Sequence, residues 1–121
     1  MTGRVIAIEH VQLAMPPGGE DAARGFYTGL LGLPERVKPV HLAARGGCWF
    51  EAPGVRVHLG AEQAFRPALK AHPGLLVDDL AALVGALIAA GVEVVPDEPA
   101  DARAHCYISD PFGNRIELLQ A

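Results

Sequence analysis

Asp110-Pro111-Phe112-Gly113-Asn114-Arg115-Ile116-Glu117-Leu118, close to the end of the chain, repeats the pattern of Glu51-Ala52-Pro53-Gly54-Val55-Arg56-Val57-His58-Leu59 at a separation of 59 residues. At that offset Glu51 falls on Asp110, Gly54 on Gly113, Arg56 on Arg115, Val57 on Ile116, His58 on Glu117 and Leu59 on Leu118. Each copy reads as a glycine turn followed by a strand with polar and apolar residues on alternate sides. Gly32 and Gly91 keep the same separation. Repetition of both a turn and the strand after it points to a chain made from two copies of one unit.

The segments before each copy complete the unit. Arg4 to Met15 has the alternation of a strand, with Ile8, His10 and Gln12 on one face and Ala7, Val11 and Leu13 on the other. Pro16-Pro17-Gly18-Gly19 breaks it, and Glu20 to Leu31 carries Ala23, Phe26, Tyr27, Leu30 and Leu31 at helical spacing before Gly32. Strands are expected at Glu35 to Val40, Gly47 to Glu51 and Val55 to Gly60. The second half repeats the order: a strand at His72 to Val77, a helix at Leu80 to Ala90 opened by Asp78-Asp79, then strands near Val92 to Val95, His105 to Ser109 and Arg115 to Leu119. The expected fold is α+β, a single domain over 1–121 with one βαβββ module at about 4–60 and a second at about 72–121. Residues Ala61 to Ala71 connect them.

Each module alone would leave one sheet face bare, and burying it requires a second layer. Two modules joined edge to edge give a curled antiparallel sheet with helices outside and a concave inner face suited to a ligand.

Composition narrows the function. The 121 residues suit one domain, and 50% hydrophobic against 20% charged residues sets the chain apart from disordered sequences. A net charge of -4 argues against nucleic acid as a partner, because phosphate binding needs clustered Lys and Arg. No apolar run approaches the roughly 20 residues that cross a bilayer, so no membrane partner is expected. The start Met1-Thr2-Gly3-Arg4 leads into a strand pattern, and the expected location is cytoplasmic. Cys48 and Cys106 form no CxxC pair and read as buried packing residues.

Four metal-capable side chains occupy two pairs of equivalent places. His10 and His72 lie at the first strands of the two halves, while His58 and Glu117 match on the last strands. Imidazole nitrogens and a carboxylate oxygen bind first-row divalent cations at roughly 2.0 to 2.2 Å. His58 reads equally as a ligand or as a residue lining the cup, and Arg56 as a substrate contact or a surface arginine paired with an acid. Trp49, Tyr107 and Arg115 are further substrate-contact candidates, and His105 and Phe65 can line the cup if they face inward. His41 and His105 have no positional argument for a ligand role, and core or rim packing is the plainer reading of both. Gly113 and Asn114 are expected to supply the tight turn before the last strand, both tolerating left-handed backbone angles.

Ile8-Glu9-His10-Val11, Phe26-Tyr27 through Leu31-Gly32-Leu33, and above all Asp110 to Leu118 make the chain resemble the vicinal oxygen chelate superfamily. Glyoxalase I, extradiol dioxygenases, fosfomycin-resistance enzymes and bleomycin-resistance proteins belong to it. The resemblance implies a metal held by His10, His72 and Glu117, with His58 in an optional fourth position. It also implies a homodimer, often with each site made from the first half of one chain and the second half of the other. The implied function is a divalent-metal-dependent small-molecule enzyme using Zn, Ni, Mn or Fe, a lyase, isomerase or oxygenase acting through a metal-stabilised oxyanion with Glu117 as ligand or base. The alternative is a non-catalytic, ligand-sequestering protein of bleomycin-resistance type. His58, where glyoxalase I has a carboxylate, weakens a strict glyoxalase assignment, and the short chain counts against an extradiol dioxygenase.

Overall fold

A computed structural model describes residues 2–97 and 103–121. The first module runs β1 (Val11–Met15), α1 (Glu20–Ala23), β2 (Glu35–Arg36), α2 (Val40–Ala43), β3 (Cys48–Ala52) and β4 (Val55–Ala61). The second runs β5 (Gly74–Val77), α3 (Leu80–Ala89), β6 (Val95–Pro96), β7 (His105–Ser109) and β8 (Arg115–Gln120). The two sheets have matching strand orders, β1-β4-β3-β2 and β5-β8-β7-β6. The expected pair of βαβββ modules is present, an α+β arrangement.

The sheets are mixed rather than antiparallel. Strand β1 runs parallel to β4 and β5 parallel to β8, while the remaining pairs are antiparallel. The helical crossover after each first strand brings the chain back in the same direction, the usual reason for a parallel pair. Among the described residues no strand ladder joins the sheets.

Register refines the repeat. In β4, His58 lies between Gln12 and Trp49; in β8, Glu117 lies between Gly74 and Tyr107. His58 and Glu117 are therefore equivalent, as are Trp49 and Tyr107. Two residues before Gln12 and Gly74 stand His10 and His72, which form a third equivalent pair. The uniform 59-residue offset fails on the preceding strands: Arg56 faces Glu51, whereas Arg115 faces Ser109. Glu51 thus corresponds to Ser109 and not to Asp110, because the second turn holds one residue more, Phe112 being the addition.

Several elements differ from the sequence expectation. Residues 4–10 continue no strand: in the parallel register β4, which begins at Val55, reaches back only as far as Glu9 and leaves residues 4–8 without a strand beside them; residues 2–10 are exposed, Val5, Ile6 and Ile8 at 95%, 94% and 80%. Val40 begins the short helix α2 rather than ending a strand. After Ala23 the first helix widens into a π-helical stretch, Arg24–Thr28, with Gly29 N–H bonded to Arg24 O at 3.1 Å. A Cβ on Gly29 would lie 2.3 Å from Gly25 O, so only glycine allows that approach. Helix α3 is capped as expected, the Asp79 side chain accepting from Ala82 N–H at 3.0 Å.

Alternation puts Cys48, Phe50, Val57, Leu59, Cys106, Ile108, Ile116 and Leu118 on the helix-covered faces, where all are buried with Phe26, Tyr27 and Leu87. Each large apolar side chain so covered contributes roughly 1.5–3 kcal/mol of transfer free energy. Both cysteines are free and buried, as expected. The opposite faces carry Trp49, Arg56 and His58 on the first sheet and Tyr107, Arg115 and Glu117 on the second.

Candidate functional site

The segment that decided the repeat turns out to be a joint between the modules. Asp110 is 5% exposed; its carboxylate accepts from the Tyr27 hydroxyl at 2.7 Å, from Asn114 Nδ2 at 2.9 Å, and from the backbone N–H groups of Phe112 and Asn114, each at 2.9 Å. Asn114 Nδ2 also donates to Ala14 O on β1 at 2.7 Å. Gly113 takes the left-handed turn position with φ 92°, whereas Asn114 acts through its side chain and has no positive φ. Burial and the Asp110 carboxylate together push the Tyr27 phenol far above its usual value of 10. Phe65 packs edge-on against Phe112 at this joint.

On the first sheet three rings are stacked. His10 lies on His58 with centroids 4.4 Å apart, and His58 lies on Trp49 at 4.5 Å. His58 is 6% exposed, and its Nε2 pairs with Glu51 Oε2 at 2.7 Å. Glu51 also accepts from Arg36 at 3.0 Å and stands 3.8 Å from Arg56. The His58 hydrogen bond, then the one from Arg36, holds the Glu51 carboxyl below its ordinary value. Glu9 binds His10 Nδ1 at 2.8 Å and Arg56 at 2.6 Å, leaving Nε2 as the other nitrogen of His10. The His10 hydrogen bond is likewise the main cause of a lowered Glu9 carboxyl.

On the second sheet His72 Nε2 lies 3.3 Å from Glu117 Oε1, although His72 sits in the loop before β5 rather than inside the strand. The Lys70 carbonyl binds its Nδ1 at 2.8 Å and so orients the ring. Tyr107 meets His72 and His105 edge-on, and the Arg115 guanidinium lies 3.9 Å from the Tyr107 ring centre.

Two further side chains extend these clusters, His105, expected only as a lining residue, and Glu51, which had no assigned role. His105 lies 3.9 Å from Glu117 Oε2 and 3.5 Å from Asp97 Oδ2, and its place on β7 two residues before Tyr107 signals the shared face. Glu51 was legible only as two residues beyond Trp49 on the same face. His41 is exposed on α2, remote from both clusters by element.

Two donors bonded to one first-row ion at roughly 2.0–2.2 Å in a tetrahedral arrangement stand about 3.3–3.6 Å apart. The His72 and Glu117 pair has that separation. His58 Nε2 is committed to Glu51, and His10 lies with the first sheet. Among the described residues of one chain, no three His, Cys, Asp or Glu side chains gather as a metal site.

A family model described as the Glyoxalase/Bleomycin resistance protein/Dioxygenase superfamily matches residues 7–118. A glyoxalase family protein from Bacillus anthracis is 42% identical, with a TM-score of 0.93 over 99% of this chain and 98% of that one. Two more distant structures share the fold. The genomically encoded fosfomycin resistance protein FosX from Listeria monocytogenes has 14% identity and a TM-score of 0.76, over 98% and 95% of the two chains. TnmS3, an antibiotic binding protein from Streptomyces sp. CB03234, has 24% identity and a TM-score of 0.71, over 96% and 98%. No curated protein matches the chain. Among the described residues no helix is long and apolar enough to cross a membrane.

Proposed function

The chain belongs to the glyoxalase/bleomycin resistance/dioxygenase superfamily, and on that premise we propose that it is a divalent-metal-dependent enzyme acting on a small molecule, working as a homodimer. The observation that carries this reading is the 3.3 Å spacing of His72 Nε2 and Glu117 Oε1, a donor pair matched to one ion. In the proposed assembly His10 of one chain joins His72 and Glu117 of the other. The exposed apolar arm ahead of β1 supports such an exchange, since Val5, Ile6 and Ile8 have nothing to cover them within the chain.

A divalent ion held there would act as a Lewis acid on neighbouring substrate oxygens. The chain's own residues do the rest. The Lys70 carbonyl fixes the tautomer of His72 by binding Nδ1, so that Nε2 presents its lone pair toward Glu117. Glu51 locks the His58 ring between His10 and Trp49, which places a flat, rigid wall on the facing sheet. Glu117, whose Oε2 lies on the side of His105 at 3.9 Å, can hold a proton taken from the substrate.

The second reading is non-catalytic sequestration of a flat ligand. The His10, His58 and Trp49 stack favours it, because aromatic faces bind planar rings without chemistry.

Metal content after chelator-free purification separates the readings, followed by turnover of methylglyoxal–thiol adducts, catechols and epoxide antibiotics with added Zn, Ni, Mn or Fe. About one metal per chain with metal-dependent turnover of one substrate is expected. A metal-free protein that binds ligand tightly and turns nothing over would instead establish the sequestering reading.

A further inference from the structure

The two modules differ at one pair of positions on the open sheet faces. On the first sheet, Arg56 faces Glu51 in register, lies 3.8 Å from its carboxylate and is bonded to Glu9 at 2.6 Å. On the second, the equivalent Arg115 faces Ser109, which is exposed and uncharged. Among the described residues no carboxylate stands within ion-pair distance of Arg115, whose side chain rests on the Tyr107 ring instead. The second module thus has the arginine without the acid that stands opposite it in the first.

Position gives this cation a use. Arg115 and Glu117 point to the same side of β8, about 7 Å apart along the strand, and Tyr107 stands opposite Glu117. Arg115, Tyr107 and Ser109 also line a cavity of about 720 Å³, which Glu93 shares and which stops short of Glu117 and His72. A guanidinium presents a planar fork of donors that matches a carboxylate or phosphonate, and stacking on an aromatic ring fixes its plane.

We infer that Arg115 is the anion receptor of the site, with the Ser109 hydroxyl beside it, and that the substrate is a small oxygen chelator carrying a carboxylate or phosphonate. The inference rests on the metal-dependent reading above, which places the chelated oxygens near Glu117. Arg56 has no such part, because its charge is already met by Glu9 and Glu51.

The test compares glycolate, hydroxymethylphosphonate and neutral ethylene glycol by calorimetry on the metal-loaded protein. Arg115→Ala is expected to weaken at least one of the two anions by 10-fold or more and to leave ethylene glycol unchanged. Whichever anion loses most tells carboxylate from phosphonate. Ser109→Glu, which rebuilds the acid of the first module on an exposed position, is expected to do the same without removing the arginine, and Arg115→Lys to restore part of the affinity. Unchanged affinity for both anions in folded Ser109→Glu and Arg115→Ala overturns the inference. Arg115-dependent anion binding that survives metal removal upholds the receptor while counting against the metal reading; full metal binding with no dependence on Arg115 does the reverse.

Discussion

His72 Nε2 and Glu117 Oε1 approach to 3.3 Å although 45 residues separate them, one in the loop before β5 and the other in the middle of β8. Parallel pairing of β5 with β8 places Gly74 opposite Glu117, and a Cβ at Gly74 would lie 3.6 Å from Glu117 Oε1. If this pair binds an ion, His72→Ala and Glu117→Gln each weaken metal binding by on the order of 100-fold or more, a loss at least as large as that seen on removing outer partners of a metal site. Competition with a chromogenic chelator measures it, and retention of wild-type affinity by either variant removes that residue from the site.

The arm before β1 makes a separate prediction. Deleting residues 2–9 removes Val5, Ile6 and Ile8, which are almost wholly exposed in the single chain, and leaves the buried core residues in place. Sedimentation equilibrium is expected to give a dimer for the full chain and a monomer for the truncated one, with unchanged far-ultraviolet circular dichroism. A full-length monomer at micromolar concentration would contradict the shared site.

How much of this was legible from sequence depended on the range of the contacts. The alternation in Val55 to Leu59 and Arg115 to Leu118 is a local signal, and both strands appear where it puts them. His10 with His72 and His58 with Glu117 were matched by position alone; register confirms the second pair, while His10 and His72 each stand two residues ahead of the equivalent Gln12 and Gly74. The partner of Glu51 was misplaced because one extra residue in a turn shifts every strand position before it, which an offset fitted after the turn does not detect. Residues 4–10 alternate like a strand, yet a strand needs a neighbour to bond, and β4, beginning at Val55, leaves residues 4–8 without one. The Asp110 joint was read as a turn because its partners Tyr27 and Ala14 are 83 and 100 residues distant from Asp110 and Asn114.

Cys48 and Cys106 occupy equivalent buried positions on β3 and β7, facing Leu59 and Leu118. Desolvation raises both thiols, Cys48 to about 11, with Arg24 partly opposing the rise. At pH 8 about one Cys48 thiol in 1,000 is ionised, against roughly one in four for a free cysteine. Iodoacetamide is therefore expected to label Cys48 in the folded protein more than 100-fold more slowly than in urea. Mass spectrometry at timed intervals measures the ratio, and equal rates would show that the position is open to solvent.

Tyr27 and Asp110 tie the first-module helix to the second-module turn through a buried hydrogen bond of 2.7 Å. Tyr27→Phe leaves the carboxylate with Asn114 and two backbone donors, so the loss is one charge-assisted bond, about 1.5–3 kcal/mol. The melting temperature is expected to fall by roughly 5–12 °C at neutral pH. The pH dependence has a definite sign. The folded phenol stays protonated above 10 while the unfolded chain ionises near that value, so the contribution is complete below pH 10 and declines as pH rises above it. Between pH 9 and 11 the stability of the wild type is expected to fall more steeply than that of Tyr27→Phe, converging toward it. Urea titrations across that range measure both slopes, and parallel slopes would mean that Tyr27 ionises alike in the folded and unfolded chain.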